Sequence, residues 1–177
     1  KSYGLFGRMI LLLIINYSDW KYMYVKIIAV GTKMPEWVQV GCSEYLKRIP
    51  KELNVHFIEI PMAQRTKTTE ISRAIAKEGE TMLKAIETND KVIALDLNGK
   101  YWKTEELAKN IQDWKQSGNN FSLLIGGPDG IAQSCINRAD KLWSLSPLTL
   151  PHPLVRILLT EQIYRASTIN IGHPYHR

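Results

Sequence analysis

The stretch FSLLIGGPDG, at Phe121–Gly130, decides the fold class of this chain. Its first half, FSLLI, is a short apolar run of the kind that forms a buried strand. Its second half, GGPDG, is a turn in which paired glycines let the backbone adopt positive φ or approach another group closely. A strand that ends in such a turn and is followed by a helical pattern is typical of α/β proteins.

The same alternation of strand and helix continues on both sides of this stretch. It predicts one α/β domain with a single, mainly parallel sheet flanked by helices. Asn98 and Gly99 predict a turn that ends the third strand, and Thr104 is the expected N-cap of the helix that follows. The predicted strands are Tyr24–Val30, Val55–Ile60, Lys91–Leu97, Phe121–Ile125 and Leu142–Leu145, and the predicted helices are Pro35–Ile49, Glu70–Glu87, Glu105–Gln116, Ile131–Ala139 and Pro153–Ser167.

Composition excludes several classes of protein. The chain has 177 residues, of which 45% are hydrophobic and 23% charged, which is ordinary for a globular domain and unlike a disordered chain or a collagen-like fibre. Its two cysteines, Cys42 and Cys135, form no CxxC pair, so we expect neither a disulfide scaffold nor a structural zinc site. The net charge of +6 is compatible with a polyanionic partner but does not require one.

The first 22 residues differ from the rest of the chain. They include MILLLII at Met9–Ile15, an apolar run much shorter than the roughly 20 residues that a membrane-spanning helix needs. We interpret residues 1–22 as a leader, either vector-derived or translated from upstream, and Met23 as the natural start. The domain is therefore expected to comprise residues 23–177, with no membrane partner.

Three strand ends are candidate ligand sites, because open α/β sheets bind ligands at the carboxyl ends of their strands. GGPDG is either such a site or a simple strand-to-helix turn, and it does not match the dinucleotide motif GxGxxG. Leu145–His152, LSPLTLPH, suits an apolar group such as an adenine ring, or else is a connection that buries its leucines. Asp96 could contact a ribose or close the turn after it.

Basic and aromatic residues gather near the end of the chain. His152, His173 and His176 lie in the last 26 residues, together with Arg165 and Tyr175. Such side chains could stack on bases and hold phosphates of single-stranded RNA, or could belong to a frayed terminus. The last helix also has an apolar arc wider than one core-facing stripe, which fits either a homodimer or a helix central to the domain.

Four segments of the chain resemble one family closely. These are KIIAVGTK at Lys26–Lys33, SLLIGGPDG at Ser122–Gly130, WSLSPLTLPHPLVRILLTEQIYRA at Trp143–Ala166 and the terminal HPYHR. The chain resembles, over residues 23–177, the bacterial ribosomal RNA large subunit methyltransferases of the RlmH type, which belong to the SPOUT superfamily. Asp129 stands where Glu is expected in many relatives.

The resemblance implies a C-terminal trefoil knot and a cytoplasmic homodimer with S-adenosyl-methionine (SAM) as methyl donor and no metal. It implies methylation of N3 of a pseudouridine in 23S rRNA, on the assembled ribosome or its large subunit. A non-catalytic RNA- or ribosome-binding protein of the same fold and a tRNA methyltransferase are the alternatives. The implied cofactor contacts are Leu95, Gly126, Leu145, Ser146, Pro147, Leu148, Thr149 and Leu150, and the implied catalytic or substrate-binding residues are Arg165, His173, Tyr175 and His176.

Overall fold

The computed structural model describes residues 23–65 and 70–176. The leader predicted at residues 1–22 lies outside the described residues. The described part of the chain forms a five-stranded sheet with helices on both faces. The predicted α/β architecture is therefore confirmed.

All pairings in the sheet are parallel, and the strand order is β2-β1-β4-β3-β5. β1 and β4 lie at the centre, and every residue of both strands is buried. Because helices cover both faces of a parallel sheet, the sequences of its strands are almost continuously apolar, as in VKIIAV and FSLLI. The strands are β1 (Val25–Val30), β2 (Val55–Ile60), β3 (Lys91–Tyr101), β4 (Phe121–Ile125) and β5 (Lys141–Ser144).

The helices divide between the two faces of the sheet and enclose one apolar core on each side. α1, α3 and α5 cover the face to which Ile27 and Leu123 point. α2 and α4 cover the face of Ile28 and Leu124. The helices are α1 (Glu36–Leu46), α2 (Ile71–Ala85), α3 (Thr104–Ser117), α4 (Gln133–Arg138) and α5 (His152–Asn170), and short 3₁₀ turns occupy Lys51–Leu53 and Pro174–His176.

β3 does not end where the sequence predicted a turn. Leu95 and Lys100 both pair with Trp143 of β5, so the residues between them bulge out of the sheet and the strand then continues to Tyr101. The bulge passes close to β5: a Cβ on Gly99 would lie 2.6 Å from the backbone N and C of Trp143. A glycine is therefore required there by close packing between two strands, which local turn propensity does not reveal.

The predicted N-cap of α3 is wrong by one residue. Lys103 is the N-cap, and its backbone N–H donates to Oε2 of Glu106 at 2.9 Å. Thr104 is the first helical residue, and its hydroxyl donates to Oε1 of Gln162 on α5 at 3.1 Å. The threonine side chain thus joins two helices and leaves the capping contact to Glu106.

α5 packs between α1 and α3 and contacts both helices. Leu159 and Ile163 belong to the core on this face of the sheet, while Ala166 and Ser167 are also buried. The wide apolar arc of this helix is therefore explained by its central position within the domain. The trefoil knot concerns the path of the chain, and it stays a prediction.

Candidate active site

Three predicted cofactor residues lie on three neighbouring strands, at or just beyond the level at which β4 ends. Gly126 directly follows β4, Leu95 lies at the bulge of β3, and Leu145 follows β5. β3 is paired with both of the other strands, with Ala94 opposite Leu124 and Leu95 opposite Trp143. Since these strands are parallel and in register, their carboxyl ends meet at one edge of the sheet. The tertiary structure thus brings together residues that are up to 50 positions apart in the chain.

The glycine turn, Gly126–Gly130, closes on itself. The backbone N–H of Gly127 donates to the carbonyl of Gly130 at 3.0 Å, and the N–H of Gly130 donates back to the carbonyl of Gly127 at 3.1 Å. A Cβ on Gly126 would lie 2.5 Å from the carbonyl oxygen of Gly130. Glycine at 126 is therefore needed by the turn itself, so this position alone does not indicate a ligand.

The segment from Leu145 to Leu150, which we call the leucine loop, leaves much of its surface open. The hydroxyl of Ser144 donates to the carbonyl of Ser146 at 3.0 Å, and the hydroxyl of Ser146 accepts from the N–H of Leu148 at 3.0 Å. Leu145 packs against the core, whereas Leu148 is 68% exposed. The interpretation as a connection that buries its leucines therefore holds for one end of the loop, and binding of an apolar ligand at the other end stays a prediction. Pro147 and Thr149 are exposed as well, and Ser146 and Leu150 are half-buried.

Asp96 closes the bulge of β3. Its Oδ1 accepts from the backbone N–H of Asn98 at 2.8 Å and from the side-chain amide of the same residue at 3.0 Å. This bears out the interpretation of Asp96 as a turn-closing residue.

His152, the first residue of α5, was predicted as the end of the segment LSPLTLPH and as a possible RNA contact, but not as a cofactor residue, and it lies next to Gly126. Both ring nitrogens are buried and form no hydrogen bond within the described residues. The ring lies near the backbone of Gly126 and Val30, and Nε2 is 3.3 Å from the position that a Cβ on Gly31 would occupy. Burial, and then the nearby charge of Arg156, lower the pKa of His152 below its ordinary value. A buried neutral imidazole therefore stands at this edge of the sheet.

Arg156 anchors the start of α5 over the ends of β1 and β2. The side chain is buried, and its Nη2 donates to the carbonyl oxygens of Val30 at 3.1 Å and Gly31 at 2.6 Å. Its Nη1 pairs with Oε1 of Glu59 at 2.5 Å. A buried charge of this kind is tolerated only where it is paired and hydrogen-bonded. Sequence analysis passed over this arginine because it stands inside an apolar run, LVRILL.

The predicted catalytic residues Arg165 and Tyr175 contact each other at the far end of α5. Arg165 donates from Nε to Oε1 of Glu161 at 2.8 Å, and its guanidinium lies 4.9 Å from the centre of the Tyr175 ring. The Tyr175 hydroxyl donates to the same Glu161 oxygen at 3.4 Å, and its ring packs on Tyr164. These contacts hold an arginine and a tyrosine side by side on one surface.

His173 and His176 complete this group, which we call the tail cluster. The N–H of His173 donates to the carbonyl of Thr168 at 2.9 Å, and Nδ1 of His173 accepts from the backbone N–H of Tyr175 at 3.2 Å. His176 is half-buried, and its Nδ1 has no hydrogen-bond partner among the described residues. The last residues up to His176 are thus folded back onto α5, so the frayed-terminus alternative is wrong for them.

Two charge effects characterise the tail cluster. The hydrogen bond to Glu161 raises the pKa of Arg165, which therefore stays protonated. Burial and a hydrogen bond with Tyr45 raise the pKa of Tyr175, whose hydroxyl stays neutral. The cluster therefore offers a fixed positive charge, a phenol donor and two imidazoles to a ligand.

The tail cluster and the leucine loop lie apart within one chain. Arg165 follows His152 by 13 positions along a continuous helix, which corresponds to about 20 Å at the helical rise of 1.5 Å per residue. Since His152 lies beside Gly126, the two predicted parts of the site do not meet in a single copy. Among residues 23–65 and 70–176, no group of three potential metal ligands occurs and no helix is long and apolar enough to cross a membrane.

Comparison with solved structures supports the fold. A probable methylase family protein from Haemophilus influenzae Rd KW20 superimposes with a TM-score of 0.54 at 11% identity, covering 86% of this chain and 68% of that one. A probable methyltransferase from Bordetella pertussis Tohama I also gives a TM-score of 0.54 at 11% identity, covering 82% of this chain and 95% of that one. At this level of identity the likeness concerns the fold alone.

Comparison of sequences identifies the family. Residues 23–176 match the family described as "Predicted SPOUT methyltransferase". Ribosomal RNA large subunit methyltransferase H of Marinomonas sp. (strain MWYL1) is 56% identical over 155 residues, covering 88% of this chain and 100% of the relative. The protein of the same name from Saccharophagus degradans is 55% identical with the same coverage. The chain therefore belongs to the SPOUT methyltransferase family and, within it, to the large subunit methyltransferase H group.

Proposed function

We propose that this protein transfers a methyl group from SAM to N3 of a pseudouridine in 23S ribosomal RNA, within the cytoplasm. The observation that carries the proposal is the 56% identity to a ribosomal RNA large subunit methyltransferase H over that relative's full length. The meeting of Leu95, Gly126 and the leucine loop at one sheet edge supports it, because open α/β sheets bind ligands there.

The residues at this edge fit SAM. An adenine ring needs apolar surface and backbone hydrogen-bonding groups, and the leucine loop has both, with Leu148 exposed and two hydroxyl side chains, Ser146 and Thr149. The buried imidazole of His152 lies beside the backbone of Gly126. SAM, when bound, supplies an electrophilic methyl group. Leu95, Gly126 and residues 145–150 would hold it there.

The tail cluster suits the methyl acceptor. N3 of a uracil-like base is a poor nucleophile until it loses its proton, and the charge that then develops needs stabilisation. Arg165 carries a permanent positive charge on a surface shared with Tyr175, so it can stabilise that anion and orient the base. In this proposal the imidazole of His176, a member of the tail cluster, accepts the proton.

A homodimer would bring the two parts together. Because they are about 20 Å apart in one copy, the tail cluster of one protomer would have to face the leucine loop of the other. Exposed apolar side chains near the start of α1 and of α5 could lie in such an interface, since the two helices pack side by side. These are Trp37, Val40 and Leu154.

The test is the nucleoside composition of ribosomal RNA in a strain that lacks the gene. Loss of one methylated pseudouridine from 23S rRNA, restored by the wild-type gene, is the expected result by mass spectrometry. A missing methylated nucleoside in tRNA would instead make the protein a tRNA methyltransferase. SAM binding without loss of any methylated nucleoside would indicate a non-catalytic RNA-binding role.

The proposed substrate context has its own test. Purified protein and tritiated SAM are incubated with assembled ribosomes, with large subunits or with naked 23S rRNA, each from the deletion strain. The rates of tritium transfer to the three substrates are then compared. We expect methylation of ribosomes or subunits to exceed that of naked RNA at least tenfold. Equal rates would contradict recognition of the assembled particle.

A further inference from the structure

Arg65 joins three parts of the chain next to the glycine turn. From the segment after β2 it reaches Glu78 on α2, with Nη1 2.7 Å from Oε1 and Nη2 3.3 Å from Oε2. Its Nε donates to Oδ2 of Asp129 in the glycine turn at 2.7 Å, and its Nη1 also donates to the carbonyl of Ala63 at 2.8 Å. All three nitrogens of the guanidinium are therefore engaged.

Glu78 is the buried carboxylate that holds Arg65 in position. Its side chain is only 3% exposed, and its Oε1 accepts a second hydrogen bond from the backbone N–H of Ala63 at 2.8 Å. Its Oε2 stands 3.2 Å from the position that a Cβ on Gly127 would occupy. The carboxylate thus packs directly against the glycine turn and holds Arg65 beside it.

Arg65 holds the glycine turn from outside through the side chain of Asp129. Three of its five residues are glycines, which lose the most conformational freedom on folding, and Gly130 has a φ of +100°. Pro128 cannot be held by a polar contact through its side chain. Asp129 is therefore the single side chain of the turn that a hydrogen-bond donor can hold, and Arg65 is the donor that does so.

From these contacts we infer that Arg65 is a positioning residue for cofactor binding. By holding Asp129 it keeps the glycine turn in the conformation that receives the methyl donor beside Gly126. The inference rests on the proposed function, because it takes SAM as the ligand of this edge. It adds a residue that lies outside the predicted cofactor contacts.

An arginine is needed for this role because of its shape. The planar guanidinium contacts both oxygens of Glu78 with one edge and still donates from Nε to Asp129. Hydrogen bonds to Glu78 and then Asp129 raise the pKa of Arg65, so the charge is permanent. A lysine has one nitrogen and cannot hold both carboxylates in this geometry.

The test compares SAM binding by calorimetry in the full chain, without RNA, for Arg65→Lys, Asp129→Asn and the wild type. Arg73→Lys is the matched control, since Arg73 lies on α2 and, among the described residues, its pair with Glu70 is exposed and 3.6 Å long. We expect about tenfold weaker binding in the first two variants and unchanged binding in the control. Asp129→Glu, which keeps the charge, should bind within threefold of the wild type.

Steady-state kinetics separate positioning from a general structural role. Arg65→Lys and Asp129→Asn should raise KM for SAM about tenfold while kcat at saturating SAM stays within twofold. The thermal midpoint of Asp129→Asn should stay at the wild-type value, because its pair with Arg65 is partly exposed and such pairs add little stability. A lowered midpoint with a lowered kcat would overturn the inference in favour of a structural role.

Two further outcomes distinguish failure of the positioning role of Arg65 from failure of the proposed function. If the wild type binds SAM and both variants bind it equally well, the positioning role is rejected and the proposed function stands. If the wild type shows no SAM binding, both the proposed function and this inference fail.

Discussion

Lys26 and Asp90 form a buried ion pair at the edge of the sheet opposite to the candidate active site, with Nζ and Oδ2 3.0 Å apart. Their side chains are 7% and 1% exposed. The hydroxyl of Ser122 donates to the same carboxylate oxygen at 2.7 Å, and Glu87 pairs with Lys26 at 2.6 Å. The amino ends of β1, β3 and β4 are thus joined by a satisfied polar network, whose role is stability.

Lys26→Met should lower the free energy of unfolding by about 3 kcal/mol, because it leaves the buried carboxylate of Asp90 without its cation. Urea denaturation at pH 7 measures this. Lys91→Met is the control, since its pair with Asp140 is exposed and 3.9 Å long, and it should change stability by less than about 1 kcal/mol. Equal effects of the two substitutions would contradict a stabilising role for the buried pair.

The pH dependence of this pair has a definite sign. Burial by itself would lower the pKa of Lys26, but hydrogen bonds to Glu87 and Asp90 outweigh it and raise the pKa above the ordinary 10.5. Because the pKa of Lys26 is raised in the folded state, the contribution of the ion pair to the free energy of unfolding is complete below pH 10.5. This contribution is lost as the pH rises beyond that value. The stability difference between wild type and Lys26→Met should therefore be constant from pH 7 to about 10 and shrink as the pH rises beyond 10.5.

His152 should make the fold sensitive to acid. Burial, and then the charge of Arg156, depress its pKa in the folded state below the ordinary 6.5. As the pH falls below that value, the unfolded chain binds a proton that the folded chain does not, so stability is lost by up to about 1.4 kcal/mol per pH unit. Relative to His152→Gln, the wild type should lose more stability between pH 8 and pH 5 in urea titrations. Parallel curves for the two proteins would refute this assignment.

Arg165→Gln should lower kcat by roughly 10²–10³, because it removes the charge proposed to stabilise the base anion. SAM affinity should be unchanged, because Arg165 is proposed to stabilise charge that develops on the base only during methyl transfer. Tritium transfer to ribosomes and calorimetry measure the two quantities. Arg48→Gln, which alters an exposed pair on α1, is the control. Weaker SAM binding by Arg165→Gln would place this residue in the cofactor site instead.

Mixed dimers test whether two copies share a site. Leu148→Arg changes an exposed residue of the leucine loop and should abolish SAM binding, while Arg165→Gln should abolish transfer. Each variant alone is expected to be inactive. Unfolded together and refolded at equal amounts, they should recover about a quarter of wild-type activity, because half of the dimers then carry one intact site of two. No recovery would mean that each site is built from one chain.

The alternation of strands and helices was predictable because it is a local property. Apolar runs such as FSLLI and VKIIAV form strands wherever both faces of the sheet are covered, and the five predicted strands all appear with small shifts of their ends. The errors fell at Gly99 and Thr104, where contacts with β5 and with Gln162 of α5 decide the local conformation. Those contacts come from residues 44 and 58 positions away.

Two segments of the candidate site, GGPDG and the leucine loop, were selected from the pattern of strand ends, while the family resemblance named the individual cofactor residues. Each segment also allowed a purely structural interpretation, and the closure of the glycine turn itself explains Gly126. Arg65 and Arg156 were not identified because the residues that they contact are distant in the sequence. Their partners, Asp129 and Gly31, lie 64 and 125 positions away.

The amino-acid sequence by itself determined the class of the fold, the approximate bounds of its elements and the family, since these depend on local periodicity and on long specific motifs. The tertiary structure alone decided the order of the strands, the meeting of Leu95, Gly126 and Leu145 at one edge, and the distance between that edge and the tail cluster. The physical reason is that hydrogen-bond registers and ion pairs between distant segments form only when the chain has packed around its two cores.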